Sequence, residues 1–171
     1  SGEREAKYAL LGAGATGGGL IEAGGGSSQI VFGGFGSSFP MGCVRAKDLL
    51  SNVPTFYEMQ QKLYDACGSI FRFPRIYLES WTGVGGTITT LAALSLGLRV
   101  YDQAAVNACV LTSEGIAAMA RDLCDRGAAV RGTHPLLAER HDVIVPGALI
   151  VLLIMRGMGI AKLRVSDADG M

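Results

Sequence analysis

The sequence predicts an α/β fold in which helices pack on a mixed five-stranded sheet. Short apolar runs near the N-terminus are separated by glycine-rich turns, a pattern typical of antiparallel strands. Further along, apolar residues recur every three or four positions in several segments, which predicts amphipathic helices. Alternating segments at residues 75–79 and 160–165 stand among these helices. Strands interleaved with helices indicate one α/β domain over residues 1–171.

The N-terminal part of the chain predicts a helix followed by a three-stranded meander. Residues 3–11 have a helix-forming composition, and the glycines of residues 12–19 end that helix. Glycine turns at residues 24–26 and 33–34 predict an antiparallel arrangement of the segments beside them. The expected strands are residues 20–23, 29–32 and 37–41.

The middle of the chain predicts a capped helix, a fourth strand and a further helix. Thr55 and Glu58 have the spacing of a capping box, in which each residue satisfies a backbone amide of the other. The apolar face of the helix they open consists of Phe56, Met59, Leu63 and Cys67. Residues 75–79 alternate as a strand, and a glycine turn at residues 83–86 precedes a helix over residues 87–96.

The C-terminal part predicts two more helices and the last strand. Thr112 or Ser113 caps a helix whose apolar residues, at helical spacing, are Ile116, Met119, Ala120 and Leu123. The very apolar residues 143–155 predict a buried core helix, because Pro146 interrupts them and a bilayer span needs about 20 residues. Residues 160–165 alternate as the fifth strand.

The composition excludes several classes of protein. Hydrophobic residues make up 49% of the chain and charged residues 18%, which excludes a disordered chain. The formal net charge is zero, so no electrostatic footprint for DNA is expected. The four cysteines include no CxxC pair and are expected to be free thiols in a reducing compartment. With neither a signal peptide nor a membrane span expected, the predicted location is the cytoplasm, and the apolar domain is expected to form a homodimer when isolated.

The most informative segment is a glycine hairpin between two apolar runs. Glu22 precedes Gly24, Gly25 and Gly26, and Ser27 leads into the next strand. Glycines let backbone N–H groups approach an anion closely, and a neighbouring carboxylate can hold a metal or a water. For this motif alone, an ordinary hairpin turn stays open as the alternative. A strand follows the glycines instead of a helix, which disfavours a dinucleotide site, and the chain has no Gly-Lys pair for a P-loop.

Six segments, taken in order, resemble those of the exopolyphosphatase / guanosine pentaphosphate phosphohydrolase (Ppx/GppA) family. They are residues 1–6 (the family's SGxxEA), 22–28 (DIGGGST), 41–45, 83–87 (the second glycine loop), 140–148 (RADVIxxG) and 165–167 (VSD). Their order and spacing resemble the second domain of that family, over essentially the whole chain. The order of elements is likewise similar to one ribonuclease-H-like half of the actin, sugar kinase and heat-shock ATPase architecture.

The resemblance implies two similar domains with phosphate chemistry in the cleft between them. Family members remove the terminal phosphate of inorganic polyphosphate, or convert guanosine pentaphosphate to tetraphosphate, with magnesium. Carried over by position, Glu5 would be the general base that activates water, and Glu22 would be the Mg²⁺ ligand. The phosphate-binding residues that the resemblance implies are Gly24, Gly25, Gly26, Ser27, Gly85, Gly86 and Thr87.

Three departures from the family pattern leave the function open. Glu22 stands where the family has an aspartate, and Gln29 stands where it has an acidic residue, so the metal region changes in geometry and loses a negative charge. The N-terminal domain of the family is missing from this chain, so the chain alone is expected to be inactive. A non-catalytic relative that binds or senses phosphate is the alternative. The SGxxEA segment disfavours a third option, an ATP-binding kinase of the same architecture.

Several side chains keep two interpretations. Glu5 could be an exposed helix carboxylate instead of a base. Thr87 could cap the helix that begins there as well as bind phosphate. Arg140 could bind phosphate or pair with Asp142 at the surface, and Arg45 has a similar ambiguity.

Overall fold

A computed structural model describes residues 18–33, 35–68 and 77–167 of the chain. The expected helix at residues 3–11, which carries Glu5, lies outside these ranges. The strands within them are β1 (Gly19–Ala23), β2 (Ser28–Phe32), β3 (Phe35–Phe39), β4 (Trp81–Val84), β5 (Val110–Thr112) and β6 (Lys162–Val165). The helices are α1 (Cys43–Leu50), α2 (Phe56–Cys67), α3 (Gly86–Ser95), α4 (Gln103–Asn107), α5 (Ser113–Arg131) and α6 (Ile144–Met158), with a 3₁₀ helix at Pro135–Leu137.

The strands form one mixed sheet in the order β3-β2-β1-β4-β6-β5. Strands β1, β2 and β3 pair antiparallel, which confirms the predicted meander. Strand β4 runs parallel to both β1 and β6, and β5 pairs antiparallel with β6. The α/β class with a mixed sheet is therefore confirmed. The described ranges contain six strands instead of the five expected.

Helix α6 is the centre of the core. Twelve of its 15 residues are buried, and it packs against α1, α2, α3, α5 and strand β1. A helix surrounded by other elements has to be apolar around its whole circumference, which explains why residues 143–155 carry no charged side chain. The predicted core helix is confirmed. Across the described ranges, no helix is both long and apolar enough to cross a membrane.

The expected helix starts at residues 55 and 112 are confirmed. The Thr55 hydroxyl accepts a hydrogen bond from the Glu58 backbone N–H at 3.2 Å, which is half of the predicted capping box. The Glu58 carboxylate accepts at 2.7 Å from the Thr55 hydroxyl, whereas the prediction had it accept from the Thr55 backbone N–H. Thr112 caps α5 by accepting from the backbone N–H of Gly115 at 3.0 Å. The apolar stripes predicted for α2 and α5 face the core, with Met59 and Met119 only partly buried.

The fourth strand was predicted at the wrong place. Of the strand predicted at residues 75–79, residues 75–76 lie outside the described ranges and residues 77–79 belong to no strand. The strand that precedes α3 is β4, which the sequence pattern assigned in part to a turn. All four of its residues are buried, and a strand buried on both faces does not alternate. Position 83 of this strand is a glycine because a Cβ there would overlap the side chains of Ile88 in α3 and Leu163 in β6.

Three short elements gave no signal in the sequence. Helix α1 begins at the N-cap Gly42, which offers no side chain to accept an amide hydrogen bond. Helix α4 has five residues and β5 has three, too few to show a period. The third strand is β3, two residues earlier than the predicted 37–41.

Candidate functional site

The glycine hairpin joins β1 to β2 and lies at the carboxyl end of β1. Ala23 pairs with Ser28 at the end of the ladder, and the Gly24 N–H donates to the Ser27 carbonyl at 2.9 Å. Gly25 and Gly26 therefore form the tip of the turn, and both are exposed. The predicted hairpin is confirmed, and its tip is bare backbone.

The hairpin carbonyls are held by the start of helix α1. The backbone N–H of Cys43 donates to Gly24 O at 2.8 Å, and that of Val44 donates to Gly25 O at 2.9 Å. A trans peptide places each N–H opposite the preceding carbonyl, so the amides of Gly25 and Gly26 point away from α1. Neither amide has an acceptor among the described residues. Two N–H groups are thereby turned outward on one loop.

Two local features bring α1 this close to the hairpin. Gly42 lies so near the loop that a Cβ there would overlap the carbonyls of Gly24 and Gly25. The Ser28 hydroxyl, which is buried, donates to the Met41 carbonyl at 2.6 Å. The segment at residues 41–45 therefore serves as the support of the hairpin.

The second glycine loop lies beside the first. Because β1 and β4 are parallel neighbours, with Glu22 in register with Val84, both strands end at the same edge of the sheet. Gly85 follows β4 with φ 94°, a left-handed conformation that favours glycine. The Cγ of Glu22 lies 3.4 Å from the position that a Cβ on Gly85 would take. The structure thus brings together Glu22 and the two loops.

Helix α3 begins directly after this loop and leaves its first amides without a side-chain cap. Gly85 is the N-cap and makes no side-chain cap hydrogen bond. An uncapped helix N-terminus favours an anion, because its free N–H groups and the helix dipole are both positive there. Thr87 is not the cap: it lies inside the first turn, and its buried side chain packs against Gly147 of α6. A phosphate at this loop would therefore meet the backbone of Thr87, and not its hydroxyl.

Arg140 contributes a positive charge at the same place. Its guanidinium lies against Gly86, where a Cβ would overlap the terminal nitrogens. The surface pair with Asp142 that the sequence left open does not form, because Asp142 pairs with Lys47 at 3.2 Å. Asp142 is half-exposed; burial alone would raise its pKa, but the hydrogen bond and the charge of Lys47 outweigh that and hold the pKa below its usual value. Arg45 donates to the Pro40 carbonyl at 3.2 Å and makes no ion pair within the described ranges.

Glu22 and Gln29 face each other across the β1–β2 ladder. They are register partners, so their side chains lie on the same face of the sheet. Gln29 is 5% exposed, and its side-chain oxygen Oε1 is the one buried side-chain nitrogen or oxygen in the described ranges without a hydrogen-bond partner. A buried acceptor without a donor lowers the stability of a folded protein, so we expect a water or an ion to bind at this oxygen.

A metal at this position would rely on few protein ligands. Within the described ranges, no group of three or more His, Cys, Asp or Glu side chains could hold an ion. Mg²⁺ nevertheless commonly keeps several waters and binds one or two carboxylates together with substrate phosphates. The side-chain oxygen atoms of Glu22 and Gln29 are metal ligands of the type that Mg²⁺ prefers. The residues present therefore fit a site in which substrate phosphate and waters complete the coordination of the ion.

The hairpin after β1, the glycine-started helix after the parallel strand β4 and the mixed sheet define an actin-like α/β domain. Solved structures share this fold. A Ppx/GppA phosphatase from Aquifex aeolicus is 27% identical, with a TM-score of 0.84 over 99% of this chain and 61% of that one. An exopolyphosphatase from Cytophaga hutchinsonii is 18% identical, with a TM-score of 0.77 over 99% of this chain and 62% of that one.

The model of the Ppx/GppA phosphatase family matches residues 1–169, so the chain belongs to the Ppx/GppA phosphatase family. Exopolyphosphatase 2 from two strains of Mycobacterium tuberculosis is 30% identical to it. The match covers 88% of this chain and 52% of those relatives, so the chain spans about half their length.

Proposed function

We propose that this chain forms one wall of a phosphohydrolase cleft that releases terminal phosphate from inorganic polyphosphate or guanosine pentaphosphate. The observation that carries the proposal is the meeting of two glycine loops at the ends of β1 and β4, with Arg140 against one of them. Family membership supports the same reaction class. Phosphoryl transfer depends mainly on positioning and charge neutralisation, and backbone amides with a guanidinium supply both.

Each of the two loops would contribute hydrogen-bond donors to a terminal phosphate. The outward amides of Gly25 and Gly26 are neighbouring backbone donors of the kind that bind anions, and Ser27 follows them in the turn. The amides of Gly86 and Thr87 lie at an uncapped helix N-terminus, next to the Arg140 guanidinium. Together they would hold the phosphoryl oxygens while negative charge develops in the transition state.

Mg²⁺, when bound, would neutralise phosphate charge beside these donors. Glu22 is the carboxylate that would hold it, and the buried oxygen of Gln29 would accept from a water of its shell or bind it directly. Glu5 is proposed as the general base on the strength of the family resemblance. It would take a proton from the attacking water.

The chain is proposed to be one domain of a two-domain protein, because it covers about half the length of its curated relatives. The proposal that it is the second domain rests on the order of the segments that resemble the family. A cleft with one wall would leave the phosphate open to water, so the isolated chain is expected to be inactive. The measurement is Mg²⁺-dependent phosphate release by the full-length protein and by the isolated chain, from polyphosphate and from guanosine pentaphosphate.

The matched variants are Glu5→Gln and Glu79→Gln. Glu79 is an exposed carboxylate at the amino end of β4, away from the loops. Turnover that disappears in Glu5→Gln but persists in Glu79→Gln would support the hydrolase and identify its substrate. Equal turnover by the isolated chain would reject the two-wall proposal.

A phosphate-sensing protein without catalysis is the second candidate, favoured by the neutral side chain of Gln29. Restoring the family's residue types with the double substitution Glu22→Asp and Gln29→Glu separates the two candidates in the full-length protein. A large rise in turnover from near zero would indicate a binder that has lost its chemistry. Unchanged or lower turnover, starting from an active protein, would favour the hydrolase.

A further inference from the structure

A cavity lies beside helix α1, the helix that supports the hairpin. It has a volume of about 310 Å³, is open to the surface, and is lined by residues of α1, α2, α5, the start of α6 and the loops beside them. That volume is at the lower end of the range found for small-molecule sites. None of the residues that line it belongs to either glycine loop, so it is a separate site.

The charges lining the cavity do not balance. Lys47 and Arg131 bring two positive charges, and Asp142, which pairs with Lys47 at 3.2 Å, brings one negative charge. Arg131 has no carboxylate partner within the described ranges. Its Nε donates to the His141 carbonyl at 2.7 Å and its Nη1 to the Leu123 carbonyl at 2.8 Å. Those two neutral acceptors use two of its five N–H groups, so the guanidinium retains donors, and the one carboxylate that lines the cavity is already paired with Lys47.

The break in α5 gives the cavity room beside this guanidinium. Gly127 interrupts the helix with φ 77°, and no atom lies within 4 Å of the place where its Cβ would stand. Arg131 reaches back across the break to Leu123 and fixes the orientation of its side chain. Most of the remaining lining is apolar, and Met59 and Val145 belong to it.

We propose that this cavity binds a small organic anion, a carboxylate attached to a short apolar body. The carboxylate would accept hydrogen bonds from Arg131, and the apolar body would lie between Met59 and Val145. A planar guanidinium held in place matches a carboxylate in geometry, so the interaction needs little reorganisation. An inorganic anion would leave the apolar lining in contact with water.

Binding of a ligand in the cavity can be measured through alkylation of Cys124. Its sulfur lies 4.0 Å from that of Met59, and it lines the cavity. Cys43, Cys67 and Cys109 are buried, whereas Cys124 is half-buried, so iodoacetamide is expected to modify Cys124 first among the four. The rate is followed by peptide mass spectrometry on the intact purified protein, with hexanoate or its neutral amide, hexanamide, as the probe.

Hexanoate is expected to slow alkylation of Cys124, with an apparent affinity about tenfold above that of hexanamide, because only the anion makes a charge-assisted hydrogen bond. Arg131→Gln should remove this preference. Arg126→Gln should keep it, since Arg126 lies on the same helix, pairs with Asp122 and does not line the cavity. If Arg131→Gln does not fold, Lys47→Met tests the same charge imbalance and should also reduce the preference for the anion.

Equal protection by hexanoate and hexanamide would overturn the proposal and leave only an apolar groove. Absence of protection by either probe at about 10 mM, an affinity weaker than roughly 3 kcal/mol, would overturn it as well. Both outcomes concern Cys124 alone and do not depend on phosphate release, so they are independent of the function proposed for the loops.

Discussion

Replacing Gly42 with alanine is expected to separate the hairpin from helix α1. The backbone at Gly42 is extended, with φ −119° and ψ 179°, so alanine adopts it without strain. The penalty is steric, because the new Cβ would overlap the carbonyls of Gly24 and Gly25. Overpacking of this kind costs about 1–3 kcal/mol when the structure holds its position.

A shift of helix α1 away from the hairpin would relieve the overlap but would break two hydrogen bonds. Those bonds, from Cys43 N–H at 2.8 Å and Val44 N–H at 2.9 Å, contribute about 1 kcal/mol each. Both routes therefore lead to a loss of roughly 2 kcal/mol in the free energy of unfolding. For a domain of this size that loss corresponds to a fall in Tm of about 4–8 °C, measured by thermal unfolding followed by circular dichroism.

Two further variants separate the steric effect of the Cβ at position 42 from effects on the turn and on the helix cap. Gly26→Ala lies in the same turn, where a Cβ meets nothing within 4 Å, and it should change the unfolding free energy by less than about 0.5 kcal/mol. Gly42→Ser is a better helix N-cap than alanine but carries the same Cβ, so it should remain destabilised. A Gly42→Ala protein as stable as Gly26→Ala would refute the steric argument.

Two other predictions concern the surroundings of the site. The lowered pKa of Asp142 means that its pair with Lys47 adds stability above the unfolded carboxyl pKa and loses it as pH falls through the folded value. Lys47→Met should therefore cost up to about 1 kcal/mol in urea unfolding at pH 7 and clearly less near pH 3, whereas an equal loss at both pH values would contradict the charge effect. Thr55→Ala removes the cap of α2 and should cost about 1 kcal/mol in the same assay, and Thr55→Ser should recover most of it.

The hairpin could be predicted from local sequence because everything that defines it is local. Three glycines between two apolar runs leave few alternatives, and the register follows from the turn. Strand β4 could not be predicted in the same way. Its burial on both faces removes the alternation that identifies a strand, and the role of Gly83 depends on Ile88 and Leu163, which are side chains of other elements.

The partner of Arg140 was undecidable from the sequence for a related reason. Asp142 stands two positions away and offered a local ion pair, but it pairs with Lys47, which is 95 residues distant in the chain. The guanidinium is then free to lie on Gly86, another contact distant in sequence. Short-range patterns give the loops, whereas the charges around them are set by contacts that only the fold creates.

The site also explains how a chain with no net charge could bind a polyanion. Its positive potential would come from two outward amides, an uncapped helix N-terminus and one guanidinium, none of which depends on the overall balance of charged residues. The backbone N–H groups of this surface belong to Gly25, Gly26 and the first turn of α3, and not to the side chain of Glu22. The change from the family's aspartate should therefore alter metal affinity more than phosphate affinity. Measuring inorganic phosphate and Mg²⁺ binding separately in Glu22→Asp would test this, and a parallel change in both affinities would show that the two are not separable.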